Sequence, residues 1–368
     1  MILNFDDMKC FADTSLRQSE FLIALQRWFF SICRIYYKGT EIFSSVERRW
    51  ITIKVLFTLK FSEEEFDRIR DLGYKVTFNS EGKKSTLDKM TDEELESINI
   101  LVTYNSFEKL DISKMKNLKY IQLGSTGFDQ VPIDKIMDRN IILCNNKGGY
   151  SIPIAEWIVS TVLQIYKNTK EFYNKQYKKQ WICDYSVSEI YGKRIGFLGT
   201  GTIALESAKR LKAFGVEIWG CNTDGRSVKY FDKCFSTADM DEIFIDCDIV
   251  ISTIPSTKQT YKLINKSKFK LMKEGSSFVN VGRGKIVDED DLIKYAPKFR
   301  GIALDVFQEE PLCEDSKLWN LDNIIITPHN SWVSEKNSLR SFNLFYNNLK
   351  KFISGKEPDN KVEIEKGY

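Results

Sequence analysis

Three charged or titratable side chains follow three successive strand-like segments near the end of the chain. They are Arg283, Glu310 and His329, and His329 is the only histidine among the 368 residues. An imidazole, whose ordinary pKa is about 6.5, can donate a proton near neutral pH, and a carboxylate partner can orient it. An arginine can grip a carboxylate and polarise a carbonyl group. Because the carboxyl ends of parallel strands share one sheet edge, we expect these side chains to converge as a catalytic trio.

A glycine-rich segment lies upstream of the trio. The segment GTGTIA at residues 199–204 follows a predicted strand and precedes a predicted helix, as the G-x-G-x-x-A dinucleotide fingerprint requires. Gly199 permits the tight turn, and Gly201 lets the backbone approach a pyrophosphate. The amides of Thr202 and Ile203 begin the helix, where its dipole favours a phosphate. The sequence therefore predicts that NAD or NADP binds at this loop.

The next predicted strand ends on a neutral residue where NAD-specific proteins carry an acid. That residue is Asn222, and it is followed by Thr223 and Arg226, which could contact a 2′-phosphate. The sequence therefore predicts NADP as the preferred cofactor and NAD as the second choice. Two alternatives stay open. Asp224 could replace the missing acid or neutralise Arg226, and the segment could simply be a polar turn closed by Gly225.

Two runs of alternating strands and helices must position these residues. The predicted strands are Ile51–Thr58, Tyr74–Phe78, Ile98–Tyr104, Leu118–Leu123, Ile141–Asn145, Arg194–Leu198, Val216–Asn222, Asp248–Ile254, Ser277–Val281, Gly301–Val306 and Ile324–Thr327. The predicted helices are Pro132–Arg139, Ser151–Lys170, Thr202–Phe214 and Val333–Ser354, with two more beginning at capping boxes at residues 62–65 and 91–94. This alternation predicts an α/β fold with parallel sheets.

Together, these motifs resemble the D-isomer-specific 2-hydroxyacid dehydrogenase family, with similarity to its glyoxylate/hydroxypyruvate reductase-like members. The resemblance covers about residues 51–368 and includes NNKGGYS at 145–151 and TPHNSW at 327–332. It implies a Rossmann dinucleotide-binding domain, residues 151–330, inserted in a smaller flavodoxin-like α/β substrate domain. That second domain would combine residues 51–150 with the C-terminal helix and tail, 331–368. Residues 1–50 would be an N-terminal extension of uncertain role.

The resemblance also implies a reaction and a set of site residues. The reaction is hydride transfer between NAD(P)H and a small 2-oxo or 2-hydroxy acid, catalysed by Arg283, Glu310 and His329 in a homodimer. Further cofactor contacts are implied at Ile254, Pro255, Thr260, Val281 and Asp305. Substrate contacts are implied at Ser125, Thr126, Gly127, Arg283 and Trp332, with Tyr104, Asn105 and Phe128 shaping the pocket.

A function from another class stays open at this stage. Some family members act as transcriptional corepressors, so the fold could serve as a nucleotide-sensing scaffold without turnover. The complete set of Arg283, Glu310 and His329 favours an enzyme over that binding module. Among substrates, a phosphoglycerate-type acid is disfavoured, because residues 122–130 contain no basic cluster that could hold a second anionic group.

Composition bears on the expected partners, metal sites and cellular compartment of the protein. The chain is 42% hydrophobic and 29% charged, with a formal net charge of +3, which gives no reason to expect a nucleic-acid partner. The apolar segment Phe21 to Tyr37 contains two arginines and is too short, so we expect no membrane contact. The eight cysteines form no C-x-x-C pair, which predicts no metal site and a reducing, cytoplasmic compartment.

Overall fold

Twelve strands form two sheets in residues 53–364, the part of the chain that this computed structural model describes. The strands of the first sheet are β1 (Lys54–Phe57), β2 (Lys75–Phe78), β3 (Ile100–Thr103), β4 (Tyr120–Leu123) and β5 (Ile142–Cys144). Those of the second sheet are β6 (Arg194–Leu198), β7 (Glu217–Cys221), β8 (Lys233–Phe235), β9 (Ile249–Ser252), β10 (Ser277–Asn280), β11 (Gly301–Leu304) and β12 (Ile324–Ile326).

Helices cover the faces of both sheets. They are α1 (Glu63–Asp71), α2 (Asp92–Glu96), α3 (Ser151–Tyr166), α4 (Thr169–Tyr177), α5 (Thr202–Leu211), α6 (Asp241–Asp246), α7 (Lys266–Leu271), α8 (Glu289–Tyr295) and α9 (Asn337–Ile353). Ser62 and Glu65 form the expected capping box at α1, and Thr91 and Glu94 form the one at α2. The amphipathic helices and apolar strands thus form an α/β fold, as the alternating pattern predicts.

The first sheet has the strand order β2-β1-β3-β4-β5, with every pair parallel. Helix α9 covers one face of it, where Phe345 and Leu349 are fully buried beside Val102 of β3. The Asn348 amide also donates a 2.9 Å hydrogen bond to Gln122 Oε1 on β4. Because this polar pair is buried, it fixes the register of the helix on the sheet.

The second sheet has the order β12-β11-β10-β9-β6-β7-β8 and is also parallel throughout. The chain order reverses between β6 and β9, where open α/β sheets form a ligand crevice beyond the strand ends. Ile158 and Val162 of α3 pack with Ala208 of α5 in the core on one face. Strands β9 (IVIS) and β10 (SFVN) are buried along their whole length, as is typical of central strands in a parallel sheet covered on both faces.

Several predicted elements differ from those observed. Residues 132–139, predicted as a helix, form two short 3₁₀ turns instead. The helix predicted from Ser151 to Lys170 ends at Tyr166, because Asn168 adopts a left-handed conformation with φ 49° and α4 starts afresh. The last helix begins at Asn337 rather than Val333. The N-terminal extension and its predicted role lie outside the described residues.

Two negative findings apply to residues 53–364. In this range, no helix is long and apolar enough to cross a membrane. Within the same range, no group of three or more His, Cys, Asp or Glu side chains is arranged to hold a metal ion.

Candidate active site

His329 and Glu310 form a direct pair beyond the carboxyl ends of β12 and β11. The imidazole Nδ1 lies 2.7 Å from Glu310 Oε2, and the other carboxylate oxygen accepts a 3.0 Å hydrogen bond from the Phe307 amide. The side chains are 43% and 36% exposed, so the pair borders open space. With Nδ1 engaged, Nε2 is the ring nitrogen left to exchange a proton with a ligand.

Asp305 holds the segment that carries the histidine. Its carboxylate accepts hydrogen bonds from the Thr327 hydroxyl at 2.6 Å and from the amides of Asn330 and Ser331 at 3.0–3.2 Å. The Asp305 backbone carbonyl also accepts from the His329 amide at 2.8 Å. The residue is 1% exposed, so its carboxylate faces this segment rather than open space. Asp305 therefore positions the backbone that carries His329, and its expected contact with the cofactor stays a prediction.

Arg283 follows β10 and contacts the loop after β4 in the first sheet. A Cβ placed on Gly127 would lie 2.0 Å from Arg283 Nη2, so the guanidinium lies directly against the Gly127 backbone and a larger residue would displace it. Arg283 Nε also lies 3.7 Å from Asp129 Oδ2, a carboxylate that sequence reasoning did not single out. The arginine therefore lies where the carboxyl edges of the two sheets meet.

The loop at residues 124–130 has the features of an anion cradle. Within the described part of the chain, no acceptor is within hydrogen-bond distance of the Thr126 and Gly127 amides. The Ser125 hydroxyl donates to the Gly127 carbonyl at 2.6 Å and accepts from Gln130 Nε2 at 2.8 Å. Ser125 thus shapes the loop, while the Thr126 and Gly127 amides are free to bind a carboxylate beside Arg283.

Trp332 and Tyr150 form an aromatic contact next to the histidine segment. Their ring centroids are 5.4 Å apart in an edge-to-face arrangement, and the Trp332 indole donates to the His329 carbonyl at 2.9 Å. Burial raises the pKa of the Tyr150 phenol, which donates to the Gly124 carbonyl at 2.5 Å. These contacts place Trp332 beside both His329 and, through Tyr150, the 124–130 loop.

The glycine-rich loop joins β6 to α5, and its geometry suits a dinucleotide. Gly199 has φ +90°, and a Cβ there would lie 2.9 Å from Thr253 Oγ1, so the turn requires glycine. A Cβ on Gly201 would meet nothing within 4 Å, which leaves room for a phosphate. Because Gly201 caps α5 without a side-chain hydrogen bond, the Thr202 and Ile203 amides remain available to that phosphate.

Asn222 stands directly after β7, as the sequence predicts, and its amide group organises the turn. Asn222 Nδ2 donates to the Arg226 carbonyl at 2.9 Å and lies 3.3 Å from Thr200 Oγ1. Arg226 Nη1 lies 2.7 Å from Asp224 Oδ1, and this hydrogen bond holds the pKa of Asp224 below its ordinary value. Asp224 therefore neutralises Arg226, and Thr223 is exposed beside them.

The remaining expected cofactor residues follow β9 and β10. A Cβ on Gly199 would lie 3.1 Å from Ile254 Cγ2, which puts Ile254 against the glycine-rich turn. Val281 is joined to the end of β9 by a 3.1 Å hydrogen bond from its amide to the Ser252 carbonyl. The Thr260 hydroxyl donates to the Pro255 carbonyl at 2.7 Å and so closes its own loop. Ile254, Pro255 and Val281 thus share the sheet edge with Gly199.

Comparison with known proteins agrees with this arrangement. A family model described as D-isomer specific 2-hydroxyacid dehydrogenase, NAD binding domain, matches residues 159–331. Glyoxylate reductase from Thermofilum pendens is 31% identical over 269 residues, which are 70% of this chain and 79% of that protein.

Two solved structures share the architecture. A D-isomer specific 2-hydroxyacid dehydrogenase family protein from Aeromonas salmonicida has a TM-score of 0.70 and 25% identity, covering 85% of this chain and 99% of that one. D-lactate dehydrogenase from Aquifex aeolicus, complexed with NAD and lactic acid, has a TM-score of 0.65 and 26% identity, covering 82% and 96%. With its parallel sheets, glycine-rich turn and His329–Glu310 pair, the chain belongs to the D-isomer specific 2-hydroxyacid dehydrogenase family.

Proposed function

We propose that this protein reduces a small 2-oxo acid to the corresponding 2-hydroxy acid with NAD(P)H as the reductant. The observation that carries the proposal is the 2.7 Å contact between His329 Nδ1 and Glu310 Oε2, beside the strand end that bears Arg283. Family membership makes the chain an NAD(P)-dependent oxidoreductase that acts on a CH–OH group. The alternative, a nucleotide-sensing scaffold without turnover, would not require a histidine that is paired with a carboxylate for proton transfer.

The chain's own residues supply binding, orientation and the proton. The amides of Thr126 and Gly127 receive the substrate carboxylate, and Arg283 grips it and polarises the C2 carbonyl. His329 donates a proton from Nε2 to the C2 oxygen, while Glu310 holds the ring at Nδ1. Bound NAD(P)H supplies the hydride that completes the reduction at C2. The product is a 2-hydroxy acid, and the proton lost from His329 is regained from solvent.

The cofactor preference that we propose is NADP over NAD. At Asn222 a neutral amide replaces the carboxylate that would repel a 2′-phosphate. The Arg226–Asp224 pair is more than half exposed on both sides, so solvent weakens it and little is lost when Arg226 turns to a phosphate. Thr223 offers a hydroxyl next to it. The Aquifex aeolicus relative was solved with NAD, so NAD is the competing choice.

We also propose that the protein is a homodimer of the cytoplasm. An aromatic surface formed by α4 and the segment after it supports the dimer, because large exposed aromatic side chains mark protein contacts. Tyr173, Tyr177, Trp181 and Tyr185 are 65%, 90%, 100% and 95% exposed. The described cysteines are all free, as expected in a reducing compartment.

Steady-state oxidation of NADPH and NADH with a panel of 2-oxo acids tests the function. The panel contains glyoxylate, pyruvate, hydroxypyruvate and longer 2-oxo acids, with simple aldehydes and ketones that lack a carboxylate as controls. We expect turnover only with the 2-oxo acids, since Arg283 and the Thr126 and Gly127 amides need the carboxylate. An absence of turnover with every member and both cofactors would contradict the proposal and favour the scaffold.

A further inference from the structure

A half-buried carboxylate, Glu81, lies at the carboxyl edge of the first sheet, in the connection that follows β2. Its Oε2 atom accepts hydrogen bonds from the hydroxyls of Thr58 and Thr103 at 2.8 and 2.9 Å, and from the Asn105 amide at 3.2 Å. The two threonines are 2% and 0% exposed. Glu81 thus ties the ends of β1 and β3 to the loop that leaves β3.

That loop is connected in turn to the 124–130 loop. Gln130 Nε2 donates to the Tyr104 carbonyl at 2.9 Å and to Ser125 Oγ at 2.8 Å. The ring of Tyr104 also lies against the second loop, since a Cβ on Gly124 would be 3.5 Å from Tyr104 Cδ2. Hydrogen bonds joined through the backbone of residues 104 and 105 therefore connect Glu81 to Ser125.

The connection ends at the catalytic arginine. Ser125 Oγ donates to the Gly127 carbonyl at 2.6 Å, and the Gly127 backbone lies against the Arg283 guanidinium. Movement of the 104–106 loop would therefore be transmitted to the Thr126 and Gly127 amides. Loops that are fixed before binding lose less conformational entropy when a ligand arrives, which improves affinity without a new contact.

We propose that Glu81 is a positioning residue that fixes the substrate-carboxylate loop through Asn105, Tyr104 and Gln130. The proposal rests on the proposed function, since it assumes that residues 125–127 receive the carboxylate of a 2-oxo acid. It predicts a specific kinetic effect. Loss of Glu81 weakens substrate binding, while the His329–Glu310 pair and the dinucleotide loop, which belong to the second sheet, keep their geometry.

The test compares Glu81→Ala with Glu81→Gln in the full chain, using glyoxylate and the better dinucleotide. Because all three donors reach the same oxygen, a glutamine can present its carbonyl oxygen there and keep the three bonds. We expect Glu81→Ala to raise the KM for glyoxylate about tenfold, with kcat and the KM for the dinucleotide within about twofold of the parent. Glu81→Gln should restore a KM close to that of the parent.

Asp111→Ala serves as the matched control. Asp111 also accepts loop hydrogen bonds, from the Ser113 amide and Lys135 Nζ at 3.1 Å each, but it precedes the amino end of β4. Equal effects on the glyoxylate KM from Glu81→Ala and Asp111→Ala would overturn the proposal, because they would indicate general destabilisation. A Glu81→Gln variant as impaired as Glu81→Ala would also overturn it.

Amide hydrogen exchange in the ligand-free protein gives a readout that does not depend on turnover. We expect Glu81→Ala to speed exchange in peptides covering residues 103–107 and 124–130, and to leave peptides around residue 329 unchanged. Unchanged exchange in the first two segments would overturn the proposal. A parent enzyme without turnover would contradict the proposed function, and this exchange measurement would still decide whether Glu81 fixes the loops.

Discussion

At the residue scale, His329 adopts a left-handed backbone conformation, which is unfavourable for a residue other than glycine. Its φ is +50°, in the left-handed region that costs about 1–2 kcal/mol for a non-glycine residue. Asp305 offsets this cost, since hydrogen bonds to a charged group contribute about 1.5–3 kcal/mol each and its carboxylate accepts them from Thr327, Asn330 and Ser331. Non-glycine residues held in this region cluster at functional sites. The buried Asp305 carboxylate therefore fixes the backbone segment that carries the imidazole before any ligand binds.

Residue types and strand order led to the prediction of a catalytic trio, and the structure shows the contact between Glu310 and His329, but the supporting contacts were not predictable from the sequence. The order of strand ends was enough to associate Arg283 with Glu310 and His329. The contact between Gly127 and Arg283 depends on two sheets meeting, and no local pattern encodes that distance. The support that Asp305 gives to the His329 segment was not predicted for the same reason, since its type and place suit a ligand contact equally well. The sequence did not indicate that Gln130 joins two loops, because a polar residue in a turn is common.

The first prediction concerns Arg226 and the cofactor. We expect the parent to favour NADPH in kcat/KM, and Arg226→Ala to lower the NADPH:NADH ratio about tenfold or more, the usual effect of losing one charge-assisted contact to phosphate. Lys229→Ala is the matched control, because it removes another cation three residues along the same segment. A parent that favours NADH, or equal ratios in the parent and Arg226→Ala, would show that this turn does not read the 2′-phosphate.

At the element scale, the sequence signals divide into strong and weak ones. Capping boxes predicted the starts of α1 and α2. The first backbone amides of a helix need hydrogen-bond acceptors whatever the tertiary structure, so this signal is local in sequence. The break between α3 and α4 at Asn168 contains no glycine or proline to indicate a helix end. The sequence therefore predicted one helix that continued into α4. The short edge strand β8 was not predicted, because it pairs only with β7 and has few residues to show a pattern.

Helix α4 and the segment after it give the element-scale prediction. If these exposed aromatic residues form the dimer contact, the Tyr177→Ser/Trp181→Ser double variant will be monomeric at a concentration where the parent is dimeric. Sedimentation equilibrium should report about twice 42.8 kDa for the parent and about that mass for the variant. Met137→Ser, which removes a 59% exposed apolar side chain from the connection between β4 and β5, is the control. A monomeric parent, or a variant that remains dimeric, contradicts this assignment.

At the scale of the whole molecule, the proposed site combines residues that follow the carboxyl ends of strands in both sheets. The first sheet supplies the Thr126 and Gly127 amides, and the second supplies the glycine-rich loop and the trio. The Ser151 hydroxyl at the start of α3 donates to Thr202 Oγ1 at 2.8 Å, and Asn146 donates to Ser341 on α9 at 2.9 Å. These bonds lie where the chain passes between the sheets. Alternating strands and helices predicted both sheets, whereas their mutual placement follows from contacts distant in sequence.

The central claim is that His329 transfers the proton in 2-oxo acid reduction, and the most direct measurement is kcat for the parent and His329→Gln with glyoxylate. We expect kcat to fall about 100-fold or more, the usual contribution of general acid catalysis. Dinucleotide affinity, measured by fluorescence titration, should be nearly unchanged, because Gly199, Gly201 and α5 lie apart from the substitution. Full activity in His329→Gln would contradict the account, since no other histidine exists in the 368 residues to replace it.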